Sequence, residues 1–167
     1  MIRLYLIRLA ANEKRAGVHV LTGRGKRRFR CAARAFAHLE EPIDLICTSG
    51  KRHARQTADI LARALDRNDV VELDELSRPG STASLLRTLA ARAGDGDGVA
   101  LVGGKRRLRE LLGALGLGKR ELPLRRGSVL RIDVDALPHP RACIARFRLR
   151  PAAGELEDAF VGLRKVG

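Results

Sequence analysis

Aromatic residues are scarce in this chain of 167 residues, which has no Trp, one Tyr and four Phe. Proteins that bind single-stranded nucleic acid usually stack the bases on aromatic side chains. The composition therefore disfavours that class of protein.

Long apolar runs are also missing. No stretch approaches the roughly 20 apolar residues that span a bilayer. The N-terminus does not show the basic region, apolar core and cleavage site of a secretory signal in succession. We therefore expect a cytoplasmic protein that does not insert into membranes.

Cysteine is limited to Cys31, Cys47 and Cys143. Their odd number, wide spacing and apolar neighbours favour reduced core residues over disulfides or metal ligands. We accordingly expect neither a metal site nor a cofactor.

Positive charge is the strongest signal in the composition. The chain has 33 Lys and Arg against 19 Asp and Glu, which gives a formal net charge of +14. Such a charge attracts polyanions, among them phosphorylated proteins, polyphosphate and nucleic acid. Only six of the 33 cations are Lys, and an Arg-rich, Ala-rich chain is also what a GC-rich genome produces, so base composition is a second explanation of the charge.

Short apolar runs alternate with helical patterns along the chain. Strands are predicted at 2–9, 44–49, 70–73 and 99–104, each followed by a helical segment, with Thr22 and Ser49 as N-caps of the first two helices. Two later segments, 128–137 and 141–150, alternate apolar and polar residues as half-exposed antiparallel strands do. The pattern predicts a three-layer α/β protein, with a mostly parallel sheet that carries helices on both faces and ends in an antiparallel strand pair.

One domain accounts for most of the length. Neither an internal repeat nor a linker interrupts residues 1–151. Residues 152–167 follow as a C-terminal extension, for which we predict a short helix at about 155–163.

Three predicted strands end in residues suited to anion binding. Ligands of parallel sheets bind beyond the carboxyl ends of the strands, and helix N-termini at two of these ends favour anions through their free N–H groups and dipoles. The residues are Arg8 after the first strand, Ser49, Gly50, Lys51 and His53 after the second, and Gly104, Lys105 and Arg106 after the fourth. A phosphate-binding site is therefore predicted at this edge of the sheet.

The segments around these residues resemble the histidine phosphatase superfamily, and within it the SixA-type phosphohistidine phosphatases. The resemblance extends from LYLIR at 4–8 through LTGRGKRR, CTSGKRHARQTADIL, DELSRPGSTASLL and VALVGG to LPLRRGSV at 122–129. Its most specific segment is ARQTA at 54–58. The resemblance implies a phosphoglycerate mutase-like fold and phosphoryl transfer through a catalytic histidine.

The catalytic set that the resemblance implies is replaced in this chain. The family places a nucleophilic histidine directly after the first-strand arginine, a second arginine after the second strand and a second histidine after the fourth. Arg8 is kept, but the three other positions hold Leu9, His53 and Gly104. Because leucine has no lone pair to attack phosphorus and glycine has no side chain to donate a hydrogen bond, the family mechanism cannot operate. The sequence therefore predicts a pseudophosphatase that binds a phosphorylated protein or a polyanion such as polyphosphate.

Two alternatives follow from other residues. His53 or His19 is a candidate for a relocated nucleophile in an active phosphohistidine or phosphoester phosphatase. The basic segment GRGKRRFR at 23–30 is typical instead of a general polyanion- or nucleic-acid-binding module.

Overall fold

The structure is a computed structural model that describes residues 1–78, 80–117, 124–149 and 156–165. In chain order the strands are β1 (Ile2–Arg8), β2 (Asn12–Arg15), β3 (Val18–Leu21), β4 (Leu45–Thr48), β5 (Val70–Glu72), β6 (Gly98–Gly103), β7 (Val129–Val134), β8 (Ala142–Leu149) and β9 (Leu156–Lys165). The helices are α1 (Gly23–Ala37), α2 (Arg52–Ala64), α3 (Thr82–Ala90) and α4 (Lys105–Ala114), and a short 3-10 helix spans Asp74–Leu76. No helix in these ranges is long and apolar enough to cross a bilayer.

Seven of the strands form one sheet in the order β5-β4-β6-β1-β7-β8-β9. The first four run parallel to one another, and β7, β8 and β9 extend the sheet through antiparallel pairings. The predicted α/β class with a parallel sheet and an antiparallel end is confirmed. The antiparallel end contains the predicted pair, β7 and β8, and β9 in addition.

Side-chain alternation along the central strand divides the core into two halves. In β1, Leu4 and Leu6 face one side of the sheet and Tyr5 and Ile7 face the other, and all four are fully buried. Helices α3 and α4 cover the first side, whereas α1 and α2 cover the second. Since burying one large apolar side chain contributes about 1.5–3 kcal/mol, both helical layers hold β1 at the centre of the molecule.

Helix α1 begins where the sequence predicts. Thr22 Oγ1 accepts a hydrogen bond from the Gly25 N–H at 2.9 Å and so caps the helix. Phe29 and Phe36 are buried on its inner face. Cys31 is exposed, however, so the expectation of a core position is wrong for this residue, because the period of 3.6 residues turns it away from the inward stripe.

The hairpin of β2 and β3 is absent from the sequence-based prediction. Its loop consists of Ala16 and Gly17, which both have positive φ angles, 45° and 81°. Tight two-residue hairpin loops require this conformation and favour glycine. Gly17, between NEKR and VHVL, was therefore the feature of the sequence that could have predicted the hairpin. The hairpin brings His19 beside α2.

Strand β9 corrects the prediction of a C-terminal helix at 155–163. Residues 156–165 pair antiparallel with β8. Gly162 lowers helix propensity, Val161 favours strands, and pairing satisfies backbone groups along the edge of β8. Residues 150–155, and with them the predicted domain boundary after residue 151, lie outside the described residues, as does Pro79 of the sequence segment DELSRPGSTASLL.

We expect Gly98→Ala to destabilise the fold by about 1–3 kcal/mol. A Cβ at this position would overlap the backbone carbonyl of Pro42, and Gly98 lies in a strand that is buried along its whole length. Gly104→Ala is the matched control, because its Cβ would meet no atom within 4 Å and its φ of −73° suits any residue. Urea unfolding followed by circular dichroism measures both variants, and equal stabilities would contradict this account of the packing.

Candidate functional site

The carboxyl ends of the parallel strands border a cavity of about 300 Å³, which we call the strand-end cavity. Its volume is at the lower end of the roughly 300–1,000 Å³ typical of small-molecule sites. Six of the predicted site residues line it: Leu9, Ser49, Lys51, His53, Gly104 and Arg106. Four residues that were not predicted also line it: Leu76, Ser77, Arg107 and Glu110.

Backbone pairing places Leu9 beside Gly104. Strands β1 and β6 are parallel neighbours with Arg8 opposite Gly103, and the Leu9 N–H donates to the Gly103 carbonyl at 3.1 Å. The two positions that hold histidines in the resembled family therefore border the same cavity. A Cβ on Gly104 would meet nothing within 4 Å, so no described side chain fills the space next to it.

Arg8, Gly50 and Lys105 are not among the described residues that line the cavity. The Arg8 guanidinium instead donates to the Leu124 carbonyl at 2.7 Å, in the segment before β7. Burial, together with the positive charges of Arg126 and Arg109, lowers the pKa of Arg8. The structure thus brings the two predicted helix N-termini together and gives the strand arginine a protein carbonyl as its partner.

Two helices begin at the cavity without a side-chain cap. The N-caps are Lys51 for α2 and Gly104 for α4, and neither helix has an acidic residue in its first turn. The free N–H groups and the dipole of such a helix end favour an anion. The prediction that Ser49 caps α2 is wrong, because the helix begins only at Arg52; Ser49 lies two residues before the cap, buried in the cavity wall.

Arg107 is a cavity residue that was not predicted. It is only 5% exposed, and its guanidinium donates to the Glu75 carbonyl at 2.7 Å and to Thr82 Oγ1 at 2.7 Å. Its Nη2 atom is buried and has no hydrogen-bond partner in the described part of the chain. Leaving a buried donor unpaired costs about 1–3 kcal/mol, so an acceptor from a ligand or water would stabilise this side chain. One feature of the sequence could have predicted its burial: Arg107 lies on the apolar stripe of α4, beside Leu108 and four residues before Leu111.

The cavity carries more positive than negative charge. Lys51, Arg106 and Arg107 line it together with one described carboxylate, Glu110. Arg107 donates to Glu110 at 2.8 Å, and this hydrogen bond is the main cause that lowers the pKa of the carboxyl. Glu110 is therefore ionised at neutral pH and is not a proton donor for a leaving group.

His53 is half-buried at the start of α2, and its ring centroid lies 5.4 Å from that of His19 on β3. Burial lowers the pKa of His53, and the neighbouring His19 and Lys51 lower it further, whereas a hydrogen bond with the His19 backbone opposes the shift. The imidazole is therefore neutral at neutral pH. No group of three or more His, Cys, Asp or Glu side chains in the described ranges is arranged to hold a metal ion.

Gln56 and Thr57 hold the elements around the cavity in place. Gln56 Oε1 accepts a hydrogen bond from the Leu21 N–H at 2.8 Å, which ties α2 to β3. Thr57 Oγ1 donates to the His53 carbonyl at 2.9 Å and accepts from the Ala10 N–H at 3.4 Å, which ties α2 to the chain after β1. The most specific segment of the resemblance, ARQTA, therefore supports the architecture of the site.

Several phosphatases are among the solved structures that share this fold. A protein histidine phosphatase SixA complexed with tungstate matches with a TM-score of 0.77 at 16% identity, over 92% of this chain and 99% of that chain. A mycobacterial glucosyl-3-phosphoglycerate phosphatase matches with a TM-score of 0.61 at 16% identity, over 80% and 90% of the two chains. A phosphoserine phosphatase of Entamoeba histolytica in complex with 3-phosphoglyceric acid matches with a TM-score of 0.61 at 15% identity, over 83% and 95%.

No protein-family model matches the chain, and no curated protein matches it at a significant level. The structural matches confirm the predicted phosphoglycerate mutase-like fold, which this chain shares with SixA.

The pKa of His53 is expected to lie below about 6.5, the ordinary value for histidine. Lys51→Gln removes a neighbouring positive charge and should raise this pKa, whereas Lys105→Gln, at a position that does not line the cavity, should leave it unchanged. NMR titration of the His53 ring protons measures the midpoint in each protein. A midpoint at or above 6.5 in the unmodified chain would contradict the described burial.

The same shift predicts how stability depends on pH. Because the pKa of His53 is lower in the folded state, the unfolded state takes up the proton first, and stability falls as pH drops from about 6.5 through the folded-state pKa. Urea unfolding across this pH range should show that the free energy of unfolding falls less in His53→Gln than in the unmodified chain. An equal loss in both proteins would show that His53 does not cause it.

Proposed function

We propose that this protein is a pseudophosphatase, which binds a phosphoryl group in the strand-end cavity and does not hydrolyse it. The observation that carries the proposal is the combination of residues at one cavity: Leu9 and Gly104 stand at the family's histidine positions, next to the cations of two helix starts. The ligand would be a phosphorylated protein or a polyanion such as polyphosphate.

Several features of the cavity support binding of an anion. Lys51, Arg106 and Arg107 outnumber the single described carboxylate, Glu110. Arg107 Nη2 has no acceptor among the described residues, and a phosphoryl oxygen would supply one. The N-termini of α2 and α4 add N–H groups that no side chain caps. A protein histidine phosphatase with the same fold has been solved with tungstate, which is also a tetrahedral oxyanion.

The side chains in the cavity also argue against turnover by the family route. Leu9 cannot form a covalent phosphoryl intermediate, and loss of the nucleophile lowers kcat by about a millionfold in a well-studied hydrolase. Neither Glu110, which is ionised, nor His53, which is neutral, is protonated at neutral pH as a general acid for the leaving group would be.

One observation favours a second candidate function. His53 lines the cavity, and its lowered pKa leaves a lone pair on the imidazole at neutral pH. A neutral histidine next to Lys51 and Arg106 has the chemistry of a nucleophile toward phosphorus. The second candidate is therefore an active phosphohistidine or phosphoester phosphatase in which His53 has replaced the family's nucleophile.

Binding of inorganic phosphate tests the first proposal. Lys51→Gln should weaken the affinity by up to about fivefold, since an exposed charge contributes roughly 0.2–1 kcal/mol. Arg107→Lys keeps the charge but removes the planar fork with Nη2, and we expect a loss of about tenfold. Lys105→Gln is the control with equal charge change at a position outside the described cavity lining. Isothermal titration calorimetry measures the three variants, and equal losses for Lys51→Gln and Lys105→Gln would exclude the strand-end cavity as the site.

Hydrolysis of phosphoramidate separates the two candidates. We expect the protein to hydrolyse phosphoramidate no faster than the uncatalysed rate, because Leu9 cannot form the covalent intermediate. Release of phosphate that disappears in His53→Ala, with phosphate affinity retained, would overturn the pseudophosphatase and establish His53 as the nucleophile. Measuring binding and turnover on the same preparation keeps a folding defect from being read as a loss of catalysis.

A further inference from the structure

A second cavity lies between the two helices that cover the same side of the sheet. It has a volume of about 230 Å³ and is lined by Arg30 and Arg34 of α1 and by Ile60, Arg63 and Ala64 of α2. We call it the arginine groove. All three arginines are exposed at its rim, whereas Ile60 and Ala64 are half-buried in its lining.

No described residue forms an ion pair with the cations of the arginine groove. Within the described ranges, none of the ion pairs or side-chain hydrogen bonds involves Arg30, Arg34 or Arg63. Arg30 and Arg34 are four residues apart on one helix, a spacing at which like charges repel each other. Helix α1 contains no acidic residue to offset them.

The basic surface continues from the groove along α1. Four more cations belong to this helix: Arg24, Lys26, Arg27 and Arg28. A helix of 15 residues is about 22 Å long. Cations distributed over that length match a chain of phosphates better than they match a single small anion.

The arginine groove is separate from the strand-end cavity. His53 lines the strand-end cavity and Arg63 the groove, and these two residues of helix α2 are ten positions apart. At a rise of 1.5 Å per residue this corresponds to about 15 Å. A ligand can therefore occupy the groove without involving the residues of the proposed phosphoryl site.

We propose that the arginine groove and the basic face of α1 bind the phosphate backbone of double-stranded nucleic acid, without reading its sequence. Guanidinium groups match phosphate oxygens in charge and in planar, two-point geometry. Duplex DNA presents one negative charge per about 1.7 Å of axis, so several phosphates fall within the length of α1. None of the described residues that line the groove is aromatic, which disfavours single strands that bind by base stacking.

The test compares two triple variants that change the net charge equally. The first replaces the groove cations in the combination Arg30→Gln, Arg34→Gln and Arg63→Gln. The control combines Arg87→Gln, Arg92→Gln and Arg141→Gln, three exposed arginines that lie outside α1, α2 and the groove. Fluorescence anisotropy with a labelled 20-base-pair DNA duplex of arbitrary sequence, at several salt concentrations, gives the affinity and its salt dependence. Circular dichroism verifies that both variants are folded.

The groove variant should bind the duplex at least about tenfold more weakly than the control. Loss of three phosphate contacts should also reduce the slope of log affinity against log salt by about 2.7, at about 0.9 per contact. The proposal would be overturned if both triple variants lost the same duplex affinity, or if the groove variant left the salt slope unchanged. Binding would then depend on the net charge of the protein and not on the groove.

Two further measurements keep this proposal distinct from the phosphoryl site. Lys51→Gln at the strand-end cavity should leave duplex affinity nearly unchanged, and the groove variant should bind inorganic phosphate with unchanged affinity. A fall in duplex affinity in Lys51→Gln as large as that of the groove variant would place the duplex on the strand-end cavity and overturn the groove as its site. Inorganic polyphosphate that binds the groove with the same salt slope, while the duplex does not bind, would overturn nucleic acid as the ligand.

Discussion

The parallel pairing of β1 with β6 is the interaction on which the rest of the site depends. It sets Arg8 opposite Gly103 and lets the Leu9 N–H donate to the Gly103 carbonyl. Strand β4 pairs parallel with the other edge of β6, so the starts of α2 after β4 and of α4 after β6 meet around the same cavity as Leu9. The apolar faces of β1, buried under helices on both sides, hold this register in place.

Two groups of residues in the resembled motifs have separate physical roles. Thr22, Gln56 and Thr57 hydrogen bond to backbone groups, and loss of those bonds would leave buried donors and acceptors unpaired. Leu9 and Gly104 occupy positions whose family side chains serve the reaction, and a Cβ at Gly104 would meet no neighbour. The fold therefore depends on the hydrogen-bonding groups of Thr22, Gln56 and Thr57, whereas a side chain at position 104 has no structural role in it.

The order of the main strands and helices was predictable because apolar periodicity and caps are local properties of the sequence. Thr22 is an example, since its hydroxyl reaches an N–H only three residues away. Arg107 was not predicted as a site residue, because its burial depends on Glu75 and Thr82, which are distant in sequence. Strand β9 was predicted as a helix, because its backbone partners lie on β8 rather than within the segment itself.

By itself the sequence determined the alternation of strands and helices and the excess of positive charge, since both are properties of residue type and spacing. That Leu9 and Gly104 stand at histidine positions is what the resemblance to the histidine phosphatases implies. Only the tertiary structure decided which charged side chains line the same cavity. It gave Arg8 a carbonyl partner, brought Lys51, Arg106 and Arg107 to one cavity, and collected Arg30, Arg34 and Arg63 in another. The physical reason is that packing between elements far apart in the chain fixes the position of each side chain. Neither composition nor periodicity specifies the distances between such elements.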